Sequence, residues 1–338
     1  MLSRRDLAQM LGVMPFALAG ARGAAAQSRV TLPIATWGSP THINIVEFLK
    51  PLEAELAAKA AGRITVQHFP AGQLASDADM AVAIPTGKVK MGWTTLALWS
   101  GLIPDVRVGD VPSGLTMAQF GAAIGGPDGI KAVLDRQFQE KAAKILAMTD
   151  LGPVVIVSNK PIKAPADLKG VRIRVFSEGT ALLFKELGAA PLQIPFGDIY
   201  QSLQKGTIDA ALIGFPGVKS QRMYEITKFL LIPASFCGTG LQGYVANLPW
   251  WHGVAEADRK LIADAIAVAE ASCQQAVIAD REVLAKEYAE KGMTVTSLVP
   301  AMAEYKQWAD ATAPVLDSAG KALSPAVMAP IRKQLGRA

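Results

Sequence analysis

Residues 165–175, Pro-Ala-Asp-Leu-Lys-Gly-Val-Arg-Ile-Arg-Val, contain the pattern that decides the fold. The first part, up to Gly170, predicts a short helical turn that leads into a strand over 171–175. Because side chains alternate along a strand, Arg172 and Arg174 share one face and the apolar residues share the other. Open α/β sheets bind ligands beyond the carboxyl ends of their strands. An arginine at such an end can hold a carboxylate through two parallel N–H groups, so the stretch predicts an anion site.

Strands and helices alternate on both sides of this stretch. Strands are expected at 29–36, 63–69, 88–93, 144–148, 154–158, 191–194 and 208–213, and helices at 41–61, 77–84, 130–142, 179–187 and 197–205. This rhythm predicts right-handed βαβ units and a largely parallel sheet. It occurs in two halves that meet near residue 150 without a low-complexity linker. We therefore expect two α/β lobes joined by a hinge of continuing strands.

A single long helix is expected near the C-terminal end. Residues 256–291 contain neither proline nor glycine, and Gly292 follows as a stop signal. At about 1.5 Å per residue such a helix would be roughly 54 Å long, more than the width of one lobe. It would have to lie across both lobes, unless the segment forms two helices with an unmarked break.

The N-terminus has the layout of an export signal. Arg4 and Arg5 precede a 12-residue apolar core and the small residues Ala24–Ala26, which predicts a signal peptide over 1–26. The core is too short to span a membrane. Residues 3–7 also resemble a twin-arginine motif, so both Sec and twin-arginine export are open. The mature protein is expected to be periplasmic and not embedded in the membrane.

Composition excludes several classes of protein. The 338 residues suggest two domains, and with 51% apolar residues the chain is not intrinsically disordered. The two cysteines exclude a disulfide scaffold, and Cys237 and Cys273 are interpreted as buried thiols, although a periplasmic protein could oxidise them. A net charge of +5 without clustered basic residues argues against a nucleic-acid partner.

The chain lacks the usual sequence marks of an enzyme. Its three histidines form no metal-binding spacing, and no nucleophile-elbow motif occurs. Residues 238–243 match G-x-G-x-x-G, but the residues that follow read as a strand, whereas a dinucleotide site needs a helix there. These glycines are interpreted as a lobe crossover where backbones approach closely. No catalytic residue, metal or cofactor is expected.

At this point the sequence resembles the periplasmic solute-binding proteins of TRAP transporters, the DctP family. The resemblance covers nearly the whole mature chain and depends on several short motifs in a specific order. They are Phe69–Leu74 with Ser76-Asp77, Pro161-Ile162 with Asp167–Gly170, Ile173–Val175, Leu187–Pro191, Pro195–Tyr200, Asp209, and Asn247 with Trp250-Trp251.

The resemblance implies a two-lobed periplasmic binding protein fold with hinge strands and a long helix spanning both lobes. Residues 27–150 and 239–279 are expected to form lobe I, and residues 151–238 and 280–338 lobe II. The implied function is capture of a small organic acid in the interlobe cleft and its delivery to the TRAP membrane permease. An exported periplasmic oxidoreductase, or a binding protein serving a sensor kinase, are the alternatives.

In the family, an arginine that pairs with the substrate carboxylate matches Arg174. A second arginine found in many members is replaced by Pro153, and a polar Gln-Glu-Asn run is replaced by Ala211–Ile213, which implies a less polar pocket. Aromatic residues near strand ends also indicate a less polar pocket, although core packing is an alternative for each of them. The candidate ligand-binding residues are Arg174, Trp37, Gln73, Trp93, Phe176, Phe215 and Pro216.

Overall fold

The structure, a computed structural model, describes residues 29–150 and 154–336. The predicted signal peptide over 1–26, with Arg4 and Arg5, lies outside the described residues, as does Pro153.

The strands of the described residues build two sheets. They are β1 (Val30–Thr36), β2 (Ile64–Phe69), β3 (Met91–Thr95), β4 (Ala143–Asp150), β5 (Val154–Ser158), β6 (Arg172–Val175), β7 (Ala190–Gln193), β8 (Ala210–Gly214), β9 (Phe229–Ile232), β10 (Leu241–Asn247) and β11 (Thr294–Ser297). The first sheet has the order β2-β1-β3-β10-β4 and the second β11-β9-β5-β8-β6-β7. The chain therefore has the two-lobed α/β architecture expected from its sequence.

Helices cover the sheets and connect their strands. They are α1 (Ile43–Ala60), α2 (Met80–Ala83), α3 (Met117–Ile124), α4 (Ile130–Glu140), α5 (Glu178–Glu186), α6 (Ile199–Gln204), α7 (Phe215–Ser220), α8 (Leu248–Gly253), α9 (Glu256–Glu290), α10 (Ala303–Ala322) and α11 (Pro325–Gln334). Most bounds fall within a few residues of those expected, but α2 is reduced to a single turn, and β3 lies two to three residues further along the chain.

The sheets are mixed, which corrects the expectation of a largely parallel sheet. The βαβ units give parallel pairs, such as β1 with β2 and β3, and β6 with β7 and β8. However, β10 runs antiparallel to both β3 and β4, and β5 runs antiparallel to both β8 and β9. These antiparallel strands lie where the chain passes between the two sheets, because β4 and β5 flank the first crossing and β10 follows the return.

The long helix α9 is continuous over 35 residues, so the two-helix alternative is wrong. Its first part packs on the first sheet through a stripe that includes Ile262, Ile266 and Cys273. Its last turns pack in the second lobe through Leu284 and Tyr288. The helix is thus shared by the cores of both lobes, as its length predicted.

One stretch of α9, Glu256–Arg281, is long and apolar enough to cross a membrane by length and composition alone. Its buried stripe packs against the protein. Glu270, on the same stretch, binds Lys131 and accepts a hydrogen bond from the Met148 N–H, which ties the helix to α4 and β4. These contacts are those of a helix in a protein core.

The last helix departs from the expected division into lobes. The sequence predicts that residues 280–338 belong to lobe II, and Trp308 of α10 is indeed buried there. In α11, however, Val327, Met328 and Ile331 are buried in the cluster of the first sheet. The Ser324 N–H also donates to Asp105 in that lobe over 2.8 Å. The apolar face of α11 therefore places this helix on lobe I, while the other lobe boundaries remain a prediction.

Close backbone approach explains the glycine run at the crossover. The Thr239 N–H donates to the Gly109 carbonyl over 2.8 Å. Gly238 has φ +83°, and a Cβ there would lie 2.7 Å from the same carbonyl oxygen. Because the run leads into strand β10 and not into a helix, it lacks the context of a dinucleotide site.

A buried carboxyl group joins the lobes beside this crossover. Asp110 is 5% exposed, and Oδ2 accepts a hydrogen bond from the Ser177 hydroxyl over 2.8 Å, whereas Oδ1 has no partner among the described residues. Burial raises the pKa of Asp110 to about 7, against the opposing effects of Ser177 and Arg107. The folded protein therefore holds a proton at Asp110 more tightly than the unfolded chain does.

The Asp110→Asn variant should remove a pH-dependent loss of stability. In the wild type, Asp110 contributes most to the free energy of unfolding below about pH 4, and this contribution falls until about pH 7. The reason is that ionising the Asp110 carboxyl group costs free energy in the folded protein but not in the unfolded chain. Chemical denaturation should show that this variant gains roughly 2–4 kcal/mol relative to wild type over that range. Parallel pH profiles of the two proteins would contradict this.

Asp105→Asn is the matched control, with the opposite sign. Hydrogen bonds from Ser324 and Gln137 outweigh burial and lower the pKa of Asp105. Its carboxylate therefore stabilises the fold above the unfolded pKa, and this variant should lose stability relative to wild type as the pH rises.

Candidate functional site

A cavity of about 500 Å³ lies between the two sheets and is lined by residues of both lobes. Trp37 directly follows β1 and Thr95 ends β3, while Phe176, Ile194 and Gly214 follow or end β6, β7 and β8. Five strand ends therefore converge on one cleft. This is the carboxyl edge at which open α/β sheets bind ligands.

Arg174 supplies the positive charge of the cavity. Its side chain is 6% exposed, Nε donates to the Ile194 carbonyl over 2.9 Å, and Nη1 donates to the Leu212 carbonyl over 2.8 Å. These bonds fix the guanidinium between the ends of β7 and β8. Three of its five N–H groups have no hydrogen-bond partner among the described residues.

The charge of Arg174 is only partly compensated. Burial lowers the pKa of Arg174 to about 10, and the charge of Asp77 on the other lobe opposes this shift. The guanidinium is thus ionised at neutral pH, and its protein hydrogen bonds go to neutral carbonyls. A buried cation in this state favours an anion that brings its own charge and two acceptor oxygens.

Arg172, two residues earlier, behaves differently although both arginines are on the same strand. It is exposed, and its Nε and Nη2 bind the two carboxylate oxygens of Asp209 over 3.0 and 2.8 Å. The prediction that the strand end carries the anion site therefore applies to Arg174 alone.

Aromatic rings build one wall of the cavity. Trp37 stacks on Trp93 with ring centroids 4.7 Å apart, and Phe196 meets Trp37 edge-on at 5.0 Å. The ring of Phe176 lies 5.9 Å from the Arg174 Cζ. The wall is suited to an apolar part of a ligand.

The structure brings three of the seven predicted ligand residues to the cavity: Arg174, Trp37 and Phe176. The others do not line it. Trp93 is fully buried behind Trp37, and its Nε1 donates to Thr149. Phe215 and Pro216 begin α7 and are buried, with Phe215 against Tyr288, and Gln73 is exposed at the surface.

His42 is a cavity residue that the sequence prediction missed. It is the N-cap of α1, where Nδ1 accepts a hydrogen bond from the Asn44 N–H over 3.2 Å. Burial lowers the pKa of His42 to about 4, so the ring is neutral and carries its proton on Nε2. This N–H and the Nε1–H of Trp37 have no partner among the described residues.

Asp77 was also missed, although it belongs to the Ser76-Asp77 motif. Its Oδ1 accepts from the Thr95 N–H at 2.9 Å and from the Thr94 hydroxyl at 3.2 Å, and its Oδ2 accepts from the Thr95 hydroxyl. Burial raises the pKa of Asp77 to about 6, against these hydrogen bonds and the charge of Arg174. Asp77 is therefore mostly ionised at neutral pH and faces Arg174 across the cleft.

A second cavity, of about 390 Å³, lies beside the lobe crossover and is lined by Asp110, Leu182 and Pro314, among others. It contains no buried cation like Arg174 and is not at the strand ends. Among the residues whose side chains the structure describes, no three histidine, cysteine or acidic side chains are grouped closely enough to hold a metal ion. The Arg174 cavity is therefore the candidate site.

Comparisons with known proteins agree with this geometry. Residues 35–322 match the model of the family described as bacterial extracellular solute-binding protein, family 7 (DctP). The C4-dicarboxylate-binding periplasmic protein DctP of Vibrio cholerae is 26% identical over 273 residues, which cover 78% of each chain. A TRAP periplasmic solute-binding protein from Shewanella oneidensis, which was solved with bound succinate, has the same fold. It superposes with a TM-score of 0.82 over 91% of this chain and 99% of that one, and the two sequences are 22% identical.

One relative is matched over a smaller share of its length. The uncharacterized protein y4mM of Sinorhizobium fredii is 30% identical over 197 residues, which is 57% of this chain but 35% of that protein.

The protonation state of His42 is directly testable. Long-range proton–nitrogen NMR spectra should show the neutral ring with its proton on Nε2 from about pH 5 to pH 8, because charging the buried ring is costly. His42→Asn, which can still cap α1, identifies the signal by its loss. An imidazolium pattern near pH 6 would contradict the assignment.

Proposed function

We infer that this chain, which belongs to family 7 of the bacterial extracellular solute-binding proteins, captures a small organic acid in the interlobe cleft and binds it through a carboxylate. It delivers this ligand to the membrane permease of a TRAP transporter. The family comprises solute receptors and not enzymes. Two relatives described above support an acidic ligand, since one is named for C4-dicarboxylates and the other was solved with succinate.

The observation that carries the proposal is the buried guanidinium of Arg174. It is held in place by two backbone carbonyls and leaves three N–H groups for a ligand. A carboxylate bound there would receive parallel charge-assisted hydrogen bonds and would neutralise the buried charge. The cavity volume of about 500 Å³ is within the range of small-molecule sites.

The mechanism requires binding and movement but no chemical reaction. The guanidinium is on lobe II, whereas Trp37, His42 and Asp77 are on lobe I. A ligand that contacts both sets binds the closed arrangement better than an open one, and so shifts the population towards closure. The permease then distinguishes the loaded receptor by its closed shape.

The expected contacts between ligand and cleft are strong enough for micromolar binding. Micromolar binding requires about −8 kcal/mol. Each hydrogen bond to a charged group contributes roughly 1.5–3 kcal/mol. Burial of the ligand's apolar part against the aromatic wall adds about 25 cal/mol per Å², less the cost of ordering.

The proposal also includes export of the chain to the periplasm and its interaction there with the TRAP permease. Residues 1–26 would direct the chain to the periplasm and be removed, and the mature protein would meet the permease there. The relative from Vibrio cholerae is likewise named a periplasmic protein.

Replacing Arg174 should abolish tight binding. In isothermal titration with the best carboxylate from a screen of organic acids, Arg174→Ala should lose at least about 100-fold in affinity, because two charge-assisted hydrogen bonds disappear. Arg174→Lys keeps the charge but not the paired geometry, so its loss should be smaller, about tenfold.

Arg172→Ala is the matched control, because Arg172 is on the same strand but is exposed and paired with Asp209. It should bind like the wild type. Thermal unfolding of each variant separates loss of the site from loss of the fold, since Arg174→Ala also leaves two carbonyls without a donor. Unchanged affinity in folded Arg174→Ala would refute the proposed function.

A further inference from the structure

The cleft contains one carboxylate in addition to its one guanidinium. Among the described residues that line the cavity, Arg174 and Asp77 are the charged groups, and the third titratable group, His42, is neutral near pH 7. A ligand with two carboxylates would place its second charge in a cleft with no second cation and with Asp77 present. Like charges close together in a partly buried site repel strongly.

Asp77 is rigidly held, which makes it able to select ligands. The Gln242 Nε2 donates to the Thr95 hydroxyl oxygen over 2.9 Å, so the hydroxyl proton is directed to Asp77. Together with the Thr95 N–H and the Thr94 hydroxyl, this gives Asp77 three donors. An ionised carboxylate has about four acceptor positions, so one is left for a group in the cavity that Asp77 lines.

The two charged groups of the cleft differ in kind. Arg174 offers only N–H donors, which suit ligand oxygens, whereas the Nε1–H of Trp37 and the Nε2–H of His42 are buried in the wall. The ionised carboxylate of Asp77 is acceptor-only. A ligand that satisfies both charged groups therefore needs an acceptor carboxylate at Arg174 and a donor at Asp77.

Resting on the proposed function, we propose that Asp77 is a specificity-determining residue that selects monocarboxylates carrying a hydroxyl or ammonium donor near the carboxylate and excludes dicarboxylates. The donor binds the remaining acceptor position of Asp77 while the ligand carboxylate binds Arg174. The chain thereby differs in ligand class from the relatives named for dicarboxylates or solved with succinate.

The test compares matched acids in isothermal titration. One series is propionate, lactate, alanine and malonate, and a second is phenylpropanoate, phenyllactate and phenylalanine, with succinate added as a longer dicarboxylate. The wild type should bind the hydroxy or amino member of at least one series about tenfold or more tightly than its unsubstituted parent and than either dicarboxylate. Lactate and alanine, or their phenyl counterparts, separate a hydroxyl from an ammonium donor.

Asp77→Asn removes the charge but keeps the shape. Its carbonyl can still accept from the Thr95 N–H, and the Thr95 hydroxyl has Gln242 Oε1 at 3.3 Å as an alternative acceptor, so the fold should persist. The preference for the substituted acid should fall below about threefold, and the affinity for succinate should rise. Asp79→Asn, an exposed neighbour that does not line the cavity, should leave both ratios unchanged.

The outcomes separate this inference from the proposed function. A ratio of affinities does not change through a general loss of stability, and thermal unfolding checks the variant. Two results overturn the role of Asp77 alone, provided that binding still depends on Arg174. One is an unchanged ligand preference in Asp77→Asn, and the other is a wild type that prefers dicarboxylates or unsubstituted acids. Failure of every carboxylate to bind overturns the proposed function together with this inference.

Discussion

The buried guanidinium of Arg174 is the interaction on which the cleft depends. Burying a cation is costly unless it is hydrogen-bonded and paired. Here the protein satisfies part of that requirement with the carbonyls of Ile194, which follows β7, and Leu212, which is in β8. The pairing charge is absent from the direct contacts of the arginine. The site is therefore stable enough to fold but retains a strong preference for an anion.

The groups that line the cleft are divided between the two lobes. Arg174, Phe176 and Phe196 are on one lobe. Trp37, His42 and Asp77 are on the other, so a ligand that contacts both sets bridges the cleft. Helix α9 contributes to the cores of both lobes. The contact of Asp110 with Ser177 joins the lobes on the crossover side.

Local patterns predicted the elements well, because strand alternation, turn glycines and the length of α9 depend on nearby residues. They also placed Arg174 at a strand end. They could not show that Arg172 is already paired with Asp209, which precedes β8 and is far from Arg172 in sequence. Nor could they show which aromatic residues face the cavity, since Trp37, which follows β1, lies in front of Trp93, which is within β3. The return of α11 to the first lobe and the position of Asp77 opposite Arg174 likewise depend on tertiary packing between residues far apart in sequence.

The most direct measurement is a crystal structure of the mature protein with a bound organic acid. The account predicts closed lobes, with the ligand carboxylate held by two N–H groups of Arg174 and the rest of the ligand against Trp37 and Phe196. A ligand bound elsewhere, or one in this cleft whose carboxylate makes no contact with Arg174, would contradict it.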